Sequence, residues 1–278
     1  MAARHALVLG GGGVAGIAWE TGVLHGLADA GLDVTGADYI IGTSAGATVA
    51  AQLGSGLPLG DWFARLVDPA QQNKELRSAG MSVAELWETM IRIHEAVPDP
   101  AEQRRRIGAM ALAADTVAES VRRSVIAGRI AGDVWPERRI AIVAMEATSG
   151  ERSVFDSDSG VGLVDAVAAS CAVPGIWPPV LIGGARYVDG GICSSCNADL
   201  AAGSERALIL APLADPELDR QVELLGATGR VLVVSPDMAS LQAFGTDPLD
   251  PSVRAPVAEA GRAQGRRSVD SVAGLWSL

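Results

Sequence analysis

Short, uninterrupted apolar runs alternate along this chain with longer stretches in which apolar side chains recur every three or four residues. The runs at 6–9 and 39–41 end at glycine, which is typical of strands buried on both faces of a parallel sheet. The longer stretches have the helical period and stop at breakers such as Gly31. The alternation of these two patterns predicts an α/β protein with a mainly parallel central sheet.

The predicted elements cover most of the chain, and no internal repeat, low-complexity tract or linker divides them. We therefore predict one domain spanning residues 1–278. We predict strands at 6–9, 39–41, 139–145, 152–155, 180–182, 186–188, 208–210 and 231–234, and helices at 14–30, 45–53, 59–67, 83–93, 102–127, 162–171, 217–226 and 253–273.

Residues 57–130 form a helical insertion directly after the predicted helix at 45–53. The insertion either forms a cap over a site at the end of the sheet or covers one sheet face with ordinary packing helices. The hydrophobic pattern is compatible with both arrangements. We interpret the basic run at 104–106 as a solvated helix face rather than a phosphate clamp.

The charge balance narrows the choice of partners. The 278 residues include 22 Lys and Arg against 33 Asp and Glu, which gives a net charge of −11. Such a surface repels nucleic acid and anionic membranes at long range, so we expect no nucleic-acid partner, whereas an apolar or zwitterionic ligand is compatible.

The sequence contains no recognisable targeting segment, disulfide pattern or zinc motif. Glycines interrupt the N-terminal apolar run, and prolines interrupt the longest apolar stretch, at 167–182, so we expect a cytoplasmic protein without a signal peptide or a membrane-spanning helix. The three cysteines, Cys171, Cys193 and Cys196, do not form the pattern of a secreted disulfide framework. The C-x-x-C at 193–196 lacks the second pair that a zinc site needs, and we expect no metal.

The candidate chemistry centres on Gly42-Thr43-Ser44-Ala45-Gly46, a G-x-S-x-G sequence between a predicted strand and a predicted helix. In this context the motif forms a nucleophile elbow, with the serine hydroxyl at the tip of a strained turn. The two glycines are required because side chains at these positions would collide with neighbouring backbone. A glycine-rich turn without chemistry is the alternative, so the partners of Ser44 decide between the two.

The glycine block at 11–16 satisfies G-x-G-x-x-G and allows two interpretations. In a dinucleotide-binding fold an acidic residue ends the second strand. Here the second strand ends at Ser44 instead, which disfavours a nucleotide site. In the other interpretation the backbone N–H groups of Gly11, Gly12 and Gly13 face a carbonyl oxygen held over Ser44 and form an oxyanion hole.

A serine nucleophile needs a base. The histidines are His5, His25 and His94, so the order Ser, Asp, His of the α/β-hydrolase triad cannot be built around Ser44; His94, in the insertion, is the least implausible of the three. Asp189, which ends a predicted strand before two glycines, is the best-placed carboxylate. Its ordinary pKa of about 3.9 is low for a base, but a dry site would raise it.

The glycine block at 11–16, the elbow at 42–46 and Asp189-Gly190-Gly191 resemble, in order and separation, the three blocks of the patatin-like phospholipase family. The stretch at 169–175 is also similar to the one this family carries before its Asp-Gly-Gly. The resemblance covers about residues 6–210. It implies a three-layer α/β/α sandwich and a Ser44–Asp189 dyad. It further implies an oxyanion hole at glycines 11–13 and chemistry that needs no metal or cofactor.

One position departs from the family pattern. The family usually has Arg or Lys just before the last glycine of its first block, where this chain has Ala15. Backbone donors survive this change, but a positive charge at the turn does not, which leaves the binding of anionic headgroups in question. Arg186, three residues before Asp189, either compensates or is a solvated strand residue.

The resemblance implies a serine acyl hydrolase that cleaves carboxylic esters of lipids through an acyl-enzyme, as a phospholipase, lysophospholipase or esterase. Its expected partner is a lipid or acyl-ester substrate. As a cytoplasmic protein it is also expected to contact a membrane surface transiently, as a peripheral protein. A non-catalytic lipid- or acyl-binding relative, motivated by Ala15, is one alternative. A nucleotide-binding oxidoreductase that uses residues 11–16 is another. The sequence does not determine the oligomeric state.

Overall fold

A computed structural model of the chain describes residues 4–76 and 80–276, and an eight-stranded sheet lies at its centre. The strands are β1 (His5–Leu9), β2 (Tyr39–Thr43), β3 (Arg139–Glu146), β4 (Arg152–Phe155), β5 (Val180–Ile182), β6 (Ala185–Asp189), β7 (Arg206–Leu210) and β8 (Arg230–Val234). The α-helices are α1 (Gly13–Asp29), α2 (Ala45–Gly54), α3 (Leu59–Val67), α4 (Val83–Ala96), α5 (Pro100–Ala113), α6 (Glu119–Arg129), α7 (Leu163–Ser170), α8 (Leu218–Gly226), α9 (Met238–Phe244), α10 (Arg254–Arg267) and α11 (Val269–Trp276).

The sheet has the order β5-β6-β3-β2-β1-β7-β8, and β4 also pairs with β3. Strands β1, β2, β3, β7 and β8 are parallel to one another, whereas β4, β5 and β6 pair in antiparallel fashion. The predicted mainly parallel sheet is therefore confirmed, and each predicted strand is present.

Helices cover both faces of this sheet. Along β1, Leu7 and Leu9 belong to a large cluster with side chains of α1, α2, α7 and α10. Ala6 and Val8 belong to a second cluster, which includes Leu225 of α8. Because successive side chains of a strand point to opposite faces, these two clusters are the two interfaces of a three-layer α/β/α sandwich, as expected.

Close packing of α1 against α10 fixes the start of α1 relative to the sheet. A Cβ atom at any of four glycines would overlap the backbone of the facing helix, so only glycine lets the two helices approach this closely. The four are Gly22 and Gly26 of α1 and Gly261 and Gly265 of α10. The glycine turn at the N-terminus of α1 is therefore carried by a firmly seated helix.

Two predicted helices are in fact helix pairs. The helix predicted at 102–127 is split into α5 and α6. The residues between them are not helical, and one of them, Val117, packs beside Leu86 and Trp177. The one predicted at 253–273 breaks at Ser268, where the chain redirects so that α11 packs on β7 and β8. Helix α9 was not predicted; Asp237 caps it by accepting a hydrogen bond from the Ser240 N–H.

The helical insertion combines the two arrangements that its sequence allowed. Helix α3 packs against α1 and α10, and α6 packs against α2 and α7, so these two helices extend the helical layer on one face of the sheet. Helix α4 instead contributes Leu86 to a small cluster with Ile176 and Trp177 at the end of the sheet. The description of residues 1–278 as one domain stays a prediction.

Candidate active site

Ser44 lies between β2 and α2 in a backbone conformation that few non-glycine residues adopt, with φ 53° and ψ −108°. Such conformations cost about 1–3 kcal/mol and persist where the surroundings impose them. A Cβ at Gly46 would overlap the carbonyl oxygen of Leu9, and one at Gly42 would overlap that of Gly46. The strand, strained serine, helix and flanking glycines have the geometry of a nucleophile elbow.

The residues at the end of α7 hold this strained turn from behind. The backbone N–H of Ser44 donates to the Ser170 hydroxyl at 2.8 Å, and that hydroxyl donates to the Val143 carbonyl at 2.6 Å. The Cys171 thiol donates to the Ser44 carbonyl at 3.1 Å. Sequence reasoning took these two residues only as a helix end and part of a family-like stretch, and their contacts with Ser44 were missed.

Asp189 reaches Ser44 by an unexpected route. Strand β3 pairs with β2 through residues 139–143 and with β6 through residues 144–146. It pairs with β4 through residues 142–145, a segment that overlaps both of the others, so β4 lies on the opposite edge of β3. A strand has two edges, so β2 and β6 share one edge of β3 and meet nearly end to end. The sequence predicted Asp189 at the end of a strand but not the direction in which that strand pairs. Instead an antiparallel strand brings Asp189 to the point where β2 leaves the sheet at Ser44.

The Asp189 carboxyl is buried and accepts hydrogen bonds from the Ser44 hydroxyl and, at 2.8 Å, from the Gly191 N–H. Burial raises the pKa of Asp189 to about 6, and the two hydrogen bonds oppose this rise in part. A carboxylate with a pKa of about 6 is a stronger base than an exposed aspartate and is still ionised at neutral pH.

Asn197 joins the segments that carry these two residues. Its side-chain amide donates to the Thr43 hydroxyl at 3.1 Å and to the Ser194 carbonyl at 2.6 Å, and it lies 3.4 Å from the Gly190 carbonyl. The residue adopts a left-handed conformation with φ 49°, which Asn tolerates better than most residues. Nothing in the sequence pattern distinguished it from other turn residues.

The glycine turn lies beside Ser44 but offers fewer free donors than its sequence suggested. The Gly10 carbonyl accepts from the Gly46 N–H at 3.0 Å, which ties the turn to the elbow. The N–H of Gly11 is occupied, since it donates to the Ser195 carbonyl at 2.8 Å. Within the described residues the N–H groups of Gly12 and Gly13 have no acceptor, so these two groups are open to a ligand.

None of the described histidine contacts involves Ser44. His5 Nε2 lies 3.0 Å from the Trp276 carbonyl, His25 packs on Phe63, and His94 Nδ1 lies 2.8 Å from the Met90 carbonyl within its own helix. Arg186 contacts Glu119 and the Pro179 carbonyl. Since it lines no part of the cavity walls next to Ser44, it does not replace the positive charge that is missing at Ala15.

A largely apolar cleft of about 120 Å³ opens above Ser44 and Asp189. Helix α4 of the insertion forms one wall, and the proline-containing loop after α7 forms another. The apolar side chains that line it include Val83, Leu86, Trp87, Met90, Val173 and Ile176. A cleft with this apolar lining is suited to a hydrocarbon chain next to the serine.

Across the described residues no helix is long and apolar enough to span a membrane. In the same ranges, no group of three or more His, Cys, Asp or Glu side chains is arranged to hold a metal ion. The three cysteines are free, so the C-x-x-C at 193–196 does not form a disulfide bond.

A three-layer α/β/α sandwich in which a strained serine turn opens on an apolar cleft is typical of acyl hydrolases. A family model described as patatin-like phospholipase matches residues 7–202, more than half of the chain. The chain belongs to the patatin-like phospholipase family and is a lipid acyl hydrolase.

Comparison with solved structures finds similarity at low sequence identity. VipD from Legionella pneumophila is similar with a TM-score of 0.51 and 14% identity, over 96% of this chain and 67% of VipD. The type III effector protein ExoU matches with a TM-score of 0.42 and 16% identity, over 96% of this chain and 53% of ExoU. The chain thus spans about two thirds of one relative and about half of the other. No curated protein sequence matches it.

Proposed function

We propose that this chain hydrolyses carboxylic esters of lipids with Ser44 as nucleophile and Asp189 as general base and acid. The observation that carries the proposal is the hydrogen bond between the Ser44 hydroxyl and a buried carboxyl of raised pKa, at the floor of an apolar cleft. Two groups so placed perform nucleophilic catalysis without a histidine.

The reaction proceeds in two halves. Ser44 Oγ attacks the ester carbonyl while its proton passes to the Asp189 carboxylate, and the resulting tetrahedral oxyanion accepts hydrogen bonds from the N–H groups of Gly12 and Gly13. Each such donor is worth a few kcal/mol at the transition state. The intermediate then expels the alcohol, which takes the proton from Asp189, and leaves an acyl-enzyme. Water, deprotonated by Asp189, attacks the acyl-enzyme, and the proton returns to Ser44 Oγ as the fatty acid leaves.

The occupied N–H of Gly11 changes the oxyanion site expected from the family resemblance. We assign the donors to Gly12 and Gly13 and leave Gly11 as a lining residue, since its N–H already donates to the Ser195 carbonyl. Any side chain at Gly11 would also lie against Ser44 Cβ, at 3.6 Å.

We further propose that the substrate enters from a membrane or micelle surface by way of α4. Trp87 lines the apolar cleft and is 50% exposed, and Ile91, one helical turn further along, is 55% exposed. Apolar side chains that are both exposed and continuous with a lipid-binding cleft favour contact with a lipid interface. The net charge of −11 favours zwitterionic over anionic surfaces.

Substitution of each dyad residue tests the mechanism. We expect Ser44→Ala and Asp189→Asn to abolish turnover of a short p-nitrophenyl ester while circular dichroism shows a folded protein. Ser271→Ala and Asp158→Asn, which change exposed residues of the same types, are the controls and should retain activity. Turnover at the wild-type rate in either dyad variant would refute the mechanism.

A serine-directed fluorophosphonate probe separates this proposal from the alternative of a non-catalytic lipid-binding protein. A catalytic Ser44 is labelled covalently, and the label is lost in Ser44→Ala. A protein that binds acyl chains without catalysis would remain unlabelled in both forms.

A further inference from the structure

A second, smaller cavity adjoins Ser44 and differs from the apolar cleft in its charged lining. Two arginines and one glutamate contribute to its wall. The two cavities share Gly13, Val173 and Leu249 as well as Ser44, so they meet at the serine. The charged residues of this second cavity are Glu75, Arg122 and Arg129.

The charges around this cavity do not balance. Arg129 forms a bidentate ion pair with Glu75, with N–O distances of 2.9 and 2.6 Å. Arg122 Nη1 lies 3.7 Å from a Glu75 oxygen, and Arg254 also faces this carboxylate. Burial raises the pKa of the nearby Cys171 thiol, so this thiol stays neutral. Glu75 is thus the carboxylate that the described residues set against three guanidinium groups, and two positive charges remain uncompensated.

Of the two arginines that line this cavity, Arg122 is the one with a spare hydrogen-bond donor. Its side chain is 6% exposed and stacks on the Trp177 ring at 3.8 Å. Within the described ranges its Nε atom has no hydrogen-bond partner, whereas Nη1 faces Glu75. Burial and the neighbouring Arg129 lower the pKa of Arg122 to about 10, so it is charged at neutral pH. Buried donors are nearly always paired in native proteins, so the unpaired Nε atom points to a ligand.

We propose that Arg122, supported by Arg129, binds the phosphate of the acyl-ester substrate while the acyl chain occupies the apolar cleft. A guanidinium group matches the paired oxygens of a phosphate in a bidentate way. In a glycerophospholipid or lysophospholipid the ester carbonyl lies between an apolar chain and a phosphate. The site has the same order, with the apolar cleft on one side of Ser44 and the arginine-lined cavity on the other. The site supplies the positive charge that Ala15 lacks. This inference rests on the proposed function for the position of the ester.

Binding without turnover tests the site separately from catalysis. In the Ser44→Ala background, we expect titration calorimetry to detect binding of sn-glycerol 3-phosphate but not of glycerol. Adding Arg122→Gln should weaken that binding at least tenfold. Arg122→Lys, which keeps the positive charge but cannot form the bidentate hydrogen bonds of a guanidinium group, should weaken it less. The control Arg106→Gln removes an exposed arginine that pairs with Glu102 and should change nothing. Equal affinity for inorganic phosphate and sn-glycerol 3-phosphate, or binding unaffected by Arg122→Gln, would overturn the proposal.

Matched substrates then test specificity. We expect wild-type kcat/KM to be higher for 1-oleoyl-lysophosphatidylcholine than for 1-oleoylglycerol, which carries the same ester without a phosphate. Arg122→Gln should lower kcat/KM at least tenfold for the first and less than threefold for the second, whereas an equal loss for both would show a structural role. If the wild type hydrolyses neither ester, the proposed function fails, and the calorimetric result still judges the phosphate site by itself.

Discussion

The Ser170 hydroxyl bridges Ser44 and β3: it accepts a hydrogen bond from the Ser44 N–H at 2.8 Å and donates one to the Val143 carbonyl at 2.6 Å. Ser170 is fully buried, so no water substitutes for it at either end. The strained backbone of Ser44 is therefore fixed from the neighbouring helix rather than by the elbow sequence alone.

We expect Ser170→Ala to lower stability by about 1–3 kcal/mol because it leaves a buried N–H unpaired. The released turn should also lower kcat by about tenfold with little change in KM, since the nucleophile loses its position rather than the substrate its binding site. Thermal unfolding and steady-state kinetics measure the two effects. Ser271→Ala, which removes an exposed serine, is the control. A stability loss with unchanged kcat would contradict a positioning role.

The protonation of Asp189 sets the pH dependence of activity. The carboxyl must be ionised to accept the Ser44 proton, and burial raises its pKa to about 6. We therefore expect kcat/KM for an ester without ionisable groups to be level above about pH 6 and to fall about tenfold per pH unit below it. A profile that stays level down to pH 4.5 would show that a different group is the base.

The same carboxyl makes stability depend on pH in the opposite direction. Its pKa is about 6 in the folded state against 3.8 in an exposed aspartate, so the folded protein keeps a proton that the unfolded chain has lost between these values. Stability then decreases as the pH rises from about 4 to about 6 and stays at the lower level above that.

We expect Asp189→Asn to be more stable than the wild type at pH 8, by on the order of 2 kcal/mol, because the amide is neutral at every pH. The difference should vanish near pH 4. Denaturant unfolding at both pH values measures it, with exposed Asp158→Asn as the control. A stability gap that is the same at pH 4 and pH 8 would mean that the titration of Asp189 does not cause it.

Local patterns in the sequence were sufficient for the strands and for singling out the elbow at 42–46 and Asp189, whose catalytic roles stay predictions, because each depends on a short segment and its neighbours. The hydrogen bonds of Ser170 and Asn197 were not predictable in this way, since a buried serine or asparagine looks like any small polar residue until the fold is known. The cavity at Arg122 was even less predictable from the sequence. Its arginines lie 78 and 85 positions from Ser44 in the sequence, and no local pattern links them to the serine.

Gly46 and Leu9 provide the last test, because their contact holds the elbow against the glycine turn. A Cβ at Gly46 would overlap the Leu9 carbonyl oxygen, which is backbone and cannot move aside as a flexible side chain would. We expect Gly46→Ala to lower stability by about 3 kcal/mol or more and to abolish turnover, since α2 must shift away from β1 and take Ser44 with it. Gly36→Ala is the control, because no atom lies within 4 Å of a Cβ there. Thermal unfolding and esterase assays compare the two variants, and a stable, active Gly46→Ala protein would show that the elbow does not depend on this close approach.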